Sequence, residues 1–163
     1  MALYGGSRDI SFIRHINKEL INDIIEQQVG YYKISLDKTS SNLYGESLSK
    51  TYNDPVLVNC LIERTDQSWS ETDFGPDVTR TINVRFLRDI LVDIQLVPEV
   101  GDVVLWQENY YEISALVENQ FVVGKDPSYS YSDNITDFGS SLSIIVTAQY
   151  IRPEKLGLKQ ERL

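Results

Sequence analysis

The sequence holds one cysteine and one histidine, and these two scarcities leave little room for metal or nucleophile chemistry. Cys60 can form no intrachain disulfide. Its neighbours Val56, Leu57, Val58, Leu61 and Ile62 mark it as a buried, inert thiol. His15, between Arg14 and Ile16, is the only imidazole, so it reads as a surface or interface residue rather than a general base. No Cys-x-x-Cys, His-Glu-x-x-His, Gly-x-Gly-x-x-Gly or Gly-x-x-x-x-Gly-Lys stretch occurs. No apolar run approaches the ~20 residues that cross a bilayer; Ile144-Ile145-Val146 is typical of the longest. The opening Met-Ala-Leu-Tyr-Gly-Gly-Ser-Arg-Asp has neither the basic segment nor the apolar core of a signal peptide, which predicts folding in the cytosol. The expectation is a protein with no enzymatic activity, no cofactor and no membrane contact. No residue stands out as catalytic or metal-ligating.

Basic residues are also scarce, 15 against 24 acidic, for a net charge of −9. Residues 1–150 carry a net −11 and the last 13 residues a net +2. A broad nucleic-acid-binding surface needs clustered Lys and Arg, so that class is disfavoured. The acidic excess serves either solubility or a surface past which DNA moves without adhering. Asp89 and Asp93, four apart, can share one face of a short helix, as an acid–base pair or a plain solvated face would.

What is present is patterning. Residues 8–29 read as a helix, with Ser7 or Asp9 as cap and Gly30 as stop. Ile13, Ile16, Leu20 and Ile24 form one face, flanked by Phe12 on one side and Ile10, Ile21 and Ile25 on the other. The stripe spans roughly 220°, against about 100° for a helix buried on one side. Either the helix is sunk in its own domain, or it covers its core with one face and a partner with the other. After Gly30 the period becomes that of strands, at Tyr31–Leu36, Pro55–Arg64 and Arg80–Leu87. A short helix can follow at Arg88–Leu96. A hairpin of Val103–Gln107 and Tyr110–Val117 turns at Glu108-Asn109, and Gln120–Gly124 and Leu142–Ile151 add two strands. This describes one α+β domain over 1–163, with a helix at 8–29, a small, partly open antiparallel β-barrel at 30–151 and a C-terminal arm at 152–163.

Three long polar loops, Asp37–Asp54, Thr65–Val78 and Gly124–Ser141, interrupt the barrel. They hold Tyr44, Tyr52, Trp69, Phe74, Tyr129, Tyr131 and Phe138, which either cover the barrel ends or anchor partner contacts. The last segment carries Arg152, Lys155, Leu156 and Leu158 after a proline break. It is either a frayed terminus or an arm that docks on an acidic neighbour, which like subunits would supply. With Phe12 and Ile21 on the helix, these form the candidate interface set.

One stretch is more specific. Pro98-Glu99-Val100-Gly101-Asp102 leads into Val103-Val104-Leu105-Trp106, and after a short turn comes Tyr110-Tyr111-Glu112-Ile113. Pro and Gly fix the entry turn, Val103 and Leu105 alternate into a barrel wall, and Tyr111 and Ile113 can answer them across the hairpin. Together with Phe86-Leu87-Arg88-Asp89 and Glu118-Asn119-Gln120-Phe121-Val122-Val123-Gly124, this resembles the head-closure (neck) protein of T-even-type contractile-tailed phages, over about residues 30–130. The resemblance implies an SH3-like barrel in a homo-oligomeric ring, six-fold, at the neck of the virion. A portal adaptor would lie above, a tail terminator below, and DNA would pass through without specific binding. The family supplies no catalytic residues. A tail-terminator or other connector ring, or a monomeric SH3-like binding module, are the alternatives. The chain is shorter than the T-even members, which leaves open which axial neighbour it touches.

Overall fold

A computed structural model of the chain describes residues 7–35, 39–41, 47–65, 68–72, 75–121 and 141–158. Helix α1 (Ser7–Glu19) runs into a π-helical turn, Leu20–Ile25, closed by Glu26 in the left-handed region at φ 49°, whose N–H donates to the Ile21 carbonyl. The helix thus ends before the expected Gly30 stop. Gly30 instead lies buried in strand β1 (Gln28–Tyr32), between Leu57 of β4 (Val56–Asn59) and Leu105 of β9 (Val103–Trp106). Val29, Tyr31 and Tyr32 explain the early stop, because their burial requires an extended chain already at position 29.

Two further polar stretches are less structureless than their composition implies. Strands β2 (Ser40–Ser41) and β3 (Ser47–Ser49) pair within the first, and β6 (Ser68–Thr72) and β7 (Gly75–Thr79) pair within the second. Between them lie β4 and β5 (Leu61–Arg64), and after them β8 (Thr81–Leu87) and the short helix α2 (Arg88–Asp93). Strand β10 (Asn109–Phe121) is continuous through Gln120, where a separate strand at Gln120–Gly124 was expected. Register shifts after Ile113 and after Val117 take up the irregularity. Strand β11 (Ser141–Ile151) and helix α3 (Pro153–Leu156) follow.

Seven strands form one antiparallel sheet in the order β4-β1-β9-β10-β11-β8-β5. Its two edges, β4 and β5, are separated in sequence by Cys60 alone. One residue spans only a few ångströms, so the sheet is bent round until its edges meet at Cys60. No ladder joins β4 to β5, and the sheet is not closed. The expected single strand 55–64 is broken there because its two halves pair with β1 and β8 on opposite margins. Val29, Tyr31, Val58, Val84, Phe86, Val104, Ile113 and Val146 fill the main core.

A second, smaller core lies around Tyr32, Val103, Leu105 and Tyr110, and Leu156 completes it with Leu158 packed alongside. The C-terminal segment is therefore neither frayed at 153–158 nor a free arm there: its leucines cover an apolar patch of its own chain. Pro153 opens α3 and Gly157, at φ 66°, turns the chain out of it. The hairpin explains why a patch exists at all. Its turn is Gln107-Glu108, one residue earlier than expected, and it sets Leu105 opposite Tyr110 and Val104 opposite Tyr111. Tyr111 and Ile113 consequently join Val104 and Trp106 in the main core, while Val103 and Leu105 join the second.

Both turn residues have positive φ, 46° and 64°, the type I′ geometry that favours glycine at the second position. Glu108→Gly is expected to raise stability by about 0.5–1 kcal/mol, read as a higher denaturation midpoint.

Burial of the thiol matches its sequence setting: Cys60 is inaccessible, and burial pushes its pKa up to about 12. Burial, reinforced by Glu112 and Asp102, pushes the Tyr52 phenol to about 12, and Tyr31 is raised by burial first and by Asp102 second. All three fold as neutral acids, while the unfolded chain ionises them from pH 9 to 10 upward. Their contribution is complete below pH 9 and is lost as pH rises from 9 upward, by at most about 1.4 kcal/mol per pH unit for Cys60 and Tyr31 and by less for the half-buried Tyr52, which solvent screens. Melting temperature is expected to be flat from pH 7 to about 9 and to fall beyond it, with Cys60→Ala removing the earliest part of the fall.

Candidate assembly interface

Two ion pairs join helix α1 to α2. Asp89 and Asp93 do share one face, and each meets a cation of α1: Arg14 Nε donates to Asp89 at 2.9 Å and Lys18 Nζ to Asp93 at 2.7 Å. The hydrogen bonds to these carboxylates raise both cations' pKa. Asn59 Nδ2 adds a 3.0 Å bond to Asn22 at the end of the helix. Each aspartate is thus ion-paired to the helix, and the shared face is the docking face of α1.

The apolar stripe is left mostly outside. Ile21 is buried at 4%, whereas Phe12 is 63% exposed, Ile16 44% and Ile24 73%, with Leu20 at 37%. Exposed apolar side chains scattered singly are ordinary, but a row at helical spacing on one face is what a contact surface looks like. Val92, Val97 and Val100, on α2 and the turn after it, form a second exposed set. His15 sits on the exposed side of α1, 3.2 Å from Glu19.

A second element also stands unpartnered. Strands β6 and β7 pair with each other between β5 and β8 in the sequence, and β5 and β8 form a ribbon whose last bond runs from the Thr65 N–H to the Thr81 carbonyl. Strand β11 flanks this ribbon only as far as Thr81, with one further bond from Tyr150 N–H to the Arg80 carbonyl. Beyond that point, among the described residues, β6 and β7 pair only with each other. Two-stranded hairpins alone are marginal in water, so such an arm is stabilised by what it touches. Trp69 lies on it, opposite Val78.

The other candidate residues divide clearly. Tyr52 packs against the second core and bridges Ile34, with its hydroxyl unpartnered among the described residues. Leu156 is buried and Leu158 half-buried, both engaged in that core, while Arg152 and Lys155 are exposed. Tyr44, Phe74, Tyr129, Tyr131 and Phe138 lie outside the described residues. Sequence reasoning missed Asp102, the buried carboxylate that holds the hairpin entry together. It accepts from Tyr31 Oη at 2.5 Å, Ile34 N–H at 2.9 Å, Glu99 N–H at 2.9 Å and Lys33 Nζ at 3.1 Å. The signal was an acid placed directly between a turn glycine and an apolar strand. Also missed was the end of the sheet, where Arg64 lies 4.6 Å over the Trp106 ring and Arg80 5.6 Å over Tyr150.

Among the described residues there is no group of three or more His, Cys, Asp and Glu side chains placed to hold a metal. No helix there is long and apolar enough to cross a membrane. No protein-family model matches the chain, and no curated protein matches it significantly.

Proposed function

We propose that this chain is a structural virion protein, a subunit of the neck ring that joins a phage head to its tail around the DNA channel. The curled seven-stranded sheet is the body of an SH3-like, partly open barrel in this reading. The carrying observation is the exposed row Phe12, Ile16, Leu20 and Ile24 on a helix fastened to the body by ion pairs. A second exposed apolar set at Val92, Val97 and Val100 adds apolar surface that a contact between subunits would cover. The acidic surface suits a channel through which DNA slides. The sequence resemblance at 80–125 supplies the phage context.

The test is the mass of the purified protein in solution, by sedimentation or native mass spectrometry, with antibody labelling of virions at the head–tail junction. A discrete ring of copies is expected. A strict monomer at tens of micromolar, or labelling elsewhere on the particle, overturns the reading. Trp69→Ala is expected to weaken association by about 2 kcal/mol, roughly thirtyfold, and to shift melting by only a few degrees.

A further inference from the structure

The basic side chains of this acidic protein are not evenly spent. Arg14, Lys18, Lys33, Lys50 and Arg85 each meet a carboxylate. Arg64, Arg80 and Arg152 have no carboxylate in ion-pair reach among the described residues. Arg64 reaches the Trp106 ring and the Gln107 amide oxygen, and Arg80 reaches the Tyr150 ring. All three line two adjoining grooves that share Asn109 at the hairpin end of the sheet, where Glu108 and Glu154 are the only acids among the described residues. The indole N–H of Trp106, a residue 8% exposed in the wall of one groove, has no acceptor among the described residues. Guanidinium groups stacked on aromatic rings keep their donor edges for an incoming carboxylate or carbonyl.

The arm has the opposite character. Residues 66–79 contain Asp66, Glu71, Asp73 and Asp77 and no Lys or Arg. Its strands keep their outer edges unpaired among the described residues. We propose that the acidic β6–β7 hairpin of one subunit docks on the arginine–aromatic end of a second copy, so that each subunit is both donor and acceptor around the ring. The inference rests on the ring reading and specifies which surfaces meet. Charge complementarity of this kind sets partner and register, and it weakens with salt.

The experiment is a charge-swap cycle in the full chain, read by sedimentation of each protein and of their mixture, with melting curves as a folding control. Arg64 is left intact because it covers Trp106. Arg80→Glu with Arg152→Glu, and separately Glu71→Lys with Asp77→Lys, should each weaken self-association by about tenfold or more. Mixed in equal amounts, the two variants should assemble again in alternation, since each acidic end then meets a basic arm and each basic end an acidic arm. Rescue in the mixture is what a merely misfolded variant cannot produce. A wild-type protein that never associates overturns the ring reading itself. Wild-type rings with unaffected double variants, or no rescue on mixing, overturn only the docking. Unchanged assembly of the arginine variant with lost retention of a 30-base oligonucleotide would assign this end to nucleic acid and overturn it likewise.

Discussion

Replacing Asp102 with alanine is expected to destabilise the protein by about 3–5 kcal/mol, seen as a much lower denaturation midpoint at unchanged slope. Its side chain is wholly buried, and four donors converge on it. Removing the carboxylate strands the buried Tyr31 hydroxyl and leaves the part-buried backbone N–H groups of Ile34 and Glu99 without their acceptor, and each orphan costs up to about 1–3 kcal/mol. Lys33 has Glu99 at 3.1 Å as a second partner and its head is partly solvated, so it adds least. Asparagine is no repair. One oxygen of Asp102 serves Ile34, while the other serves Tyr31, Lys33 and Glu99, so either orientation of an amide turns an NH₂ group toward donors. Asp102→Asn should therefore cost about 2 kcal/mol or more. A loss under 1 kcal/mol for alanine would mean that the knot is not what ties β1 to the turn before β9.

The second large effect concerns assembly and not folding. Phe12→Ser, Ile16→Ser and Ile24→Ser together should weaken association more than a hundredfold while leaving the melting temperature within a few degrees. Each of these side chains is more exposed than buried or close to it, so folding gains little from them. In an interface each would be removed from water, at roughly 1–2 kcal/mol apiece, which together exceeds the ~2.7 kcal/mol of a hundredfold change. Ile21→Ser is the internal contrast. That residue is 4% exposed, so its substitution should lower melting sharply. If the triple variant melts low and assembles normally, the row belongs to the fold and not to a partner.

These contrasts show which features were legible beforehand. The alternation Ile82, Val84, Phe86 announced β8 and its buried face, since a strand covered on one side needs only period two. Pro98 to Asp102 announced a turn, and Gly101 takes φ 97° there. The pairing of Asp89 with Asp93 on one face was equally visible. Their partners, Arg14 and Lys18, lie 75 residues away in the sequence and were not. The polar loops misled for a related reason. Strand β7 begins Gly-Pro-Asp, three residues depleted in strands, and β6 sets only Trp69 and Thr72 among Ser and Glu, so their mutual pairing more than their composition makes them strands.

By itself the sequence determined the class of element at each strongly periodic segment, the buried thiol, the scarcity of cysteine and histidine and the acidic balance. These are properties of neighbouring residues and of composition, and no long-range contact is needed to state them. Tertiary structure alone decided that residues 56–64 divide between opposite edges of one sheet, which bends it round Cys60. It decided that Leu156 returns to cover Leu105 and Tyr110, and that Arg64 and Arg80 meet rings instead of carboxylates. Such outcomes depend on which strands become neighbours. That choice is made by the summed burial of two faces over the whole sheet, a quantity that no window of the sequence contains.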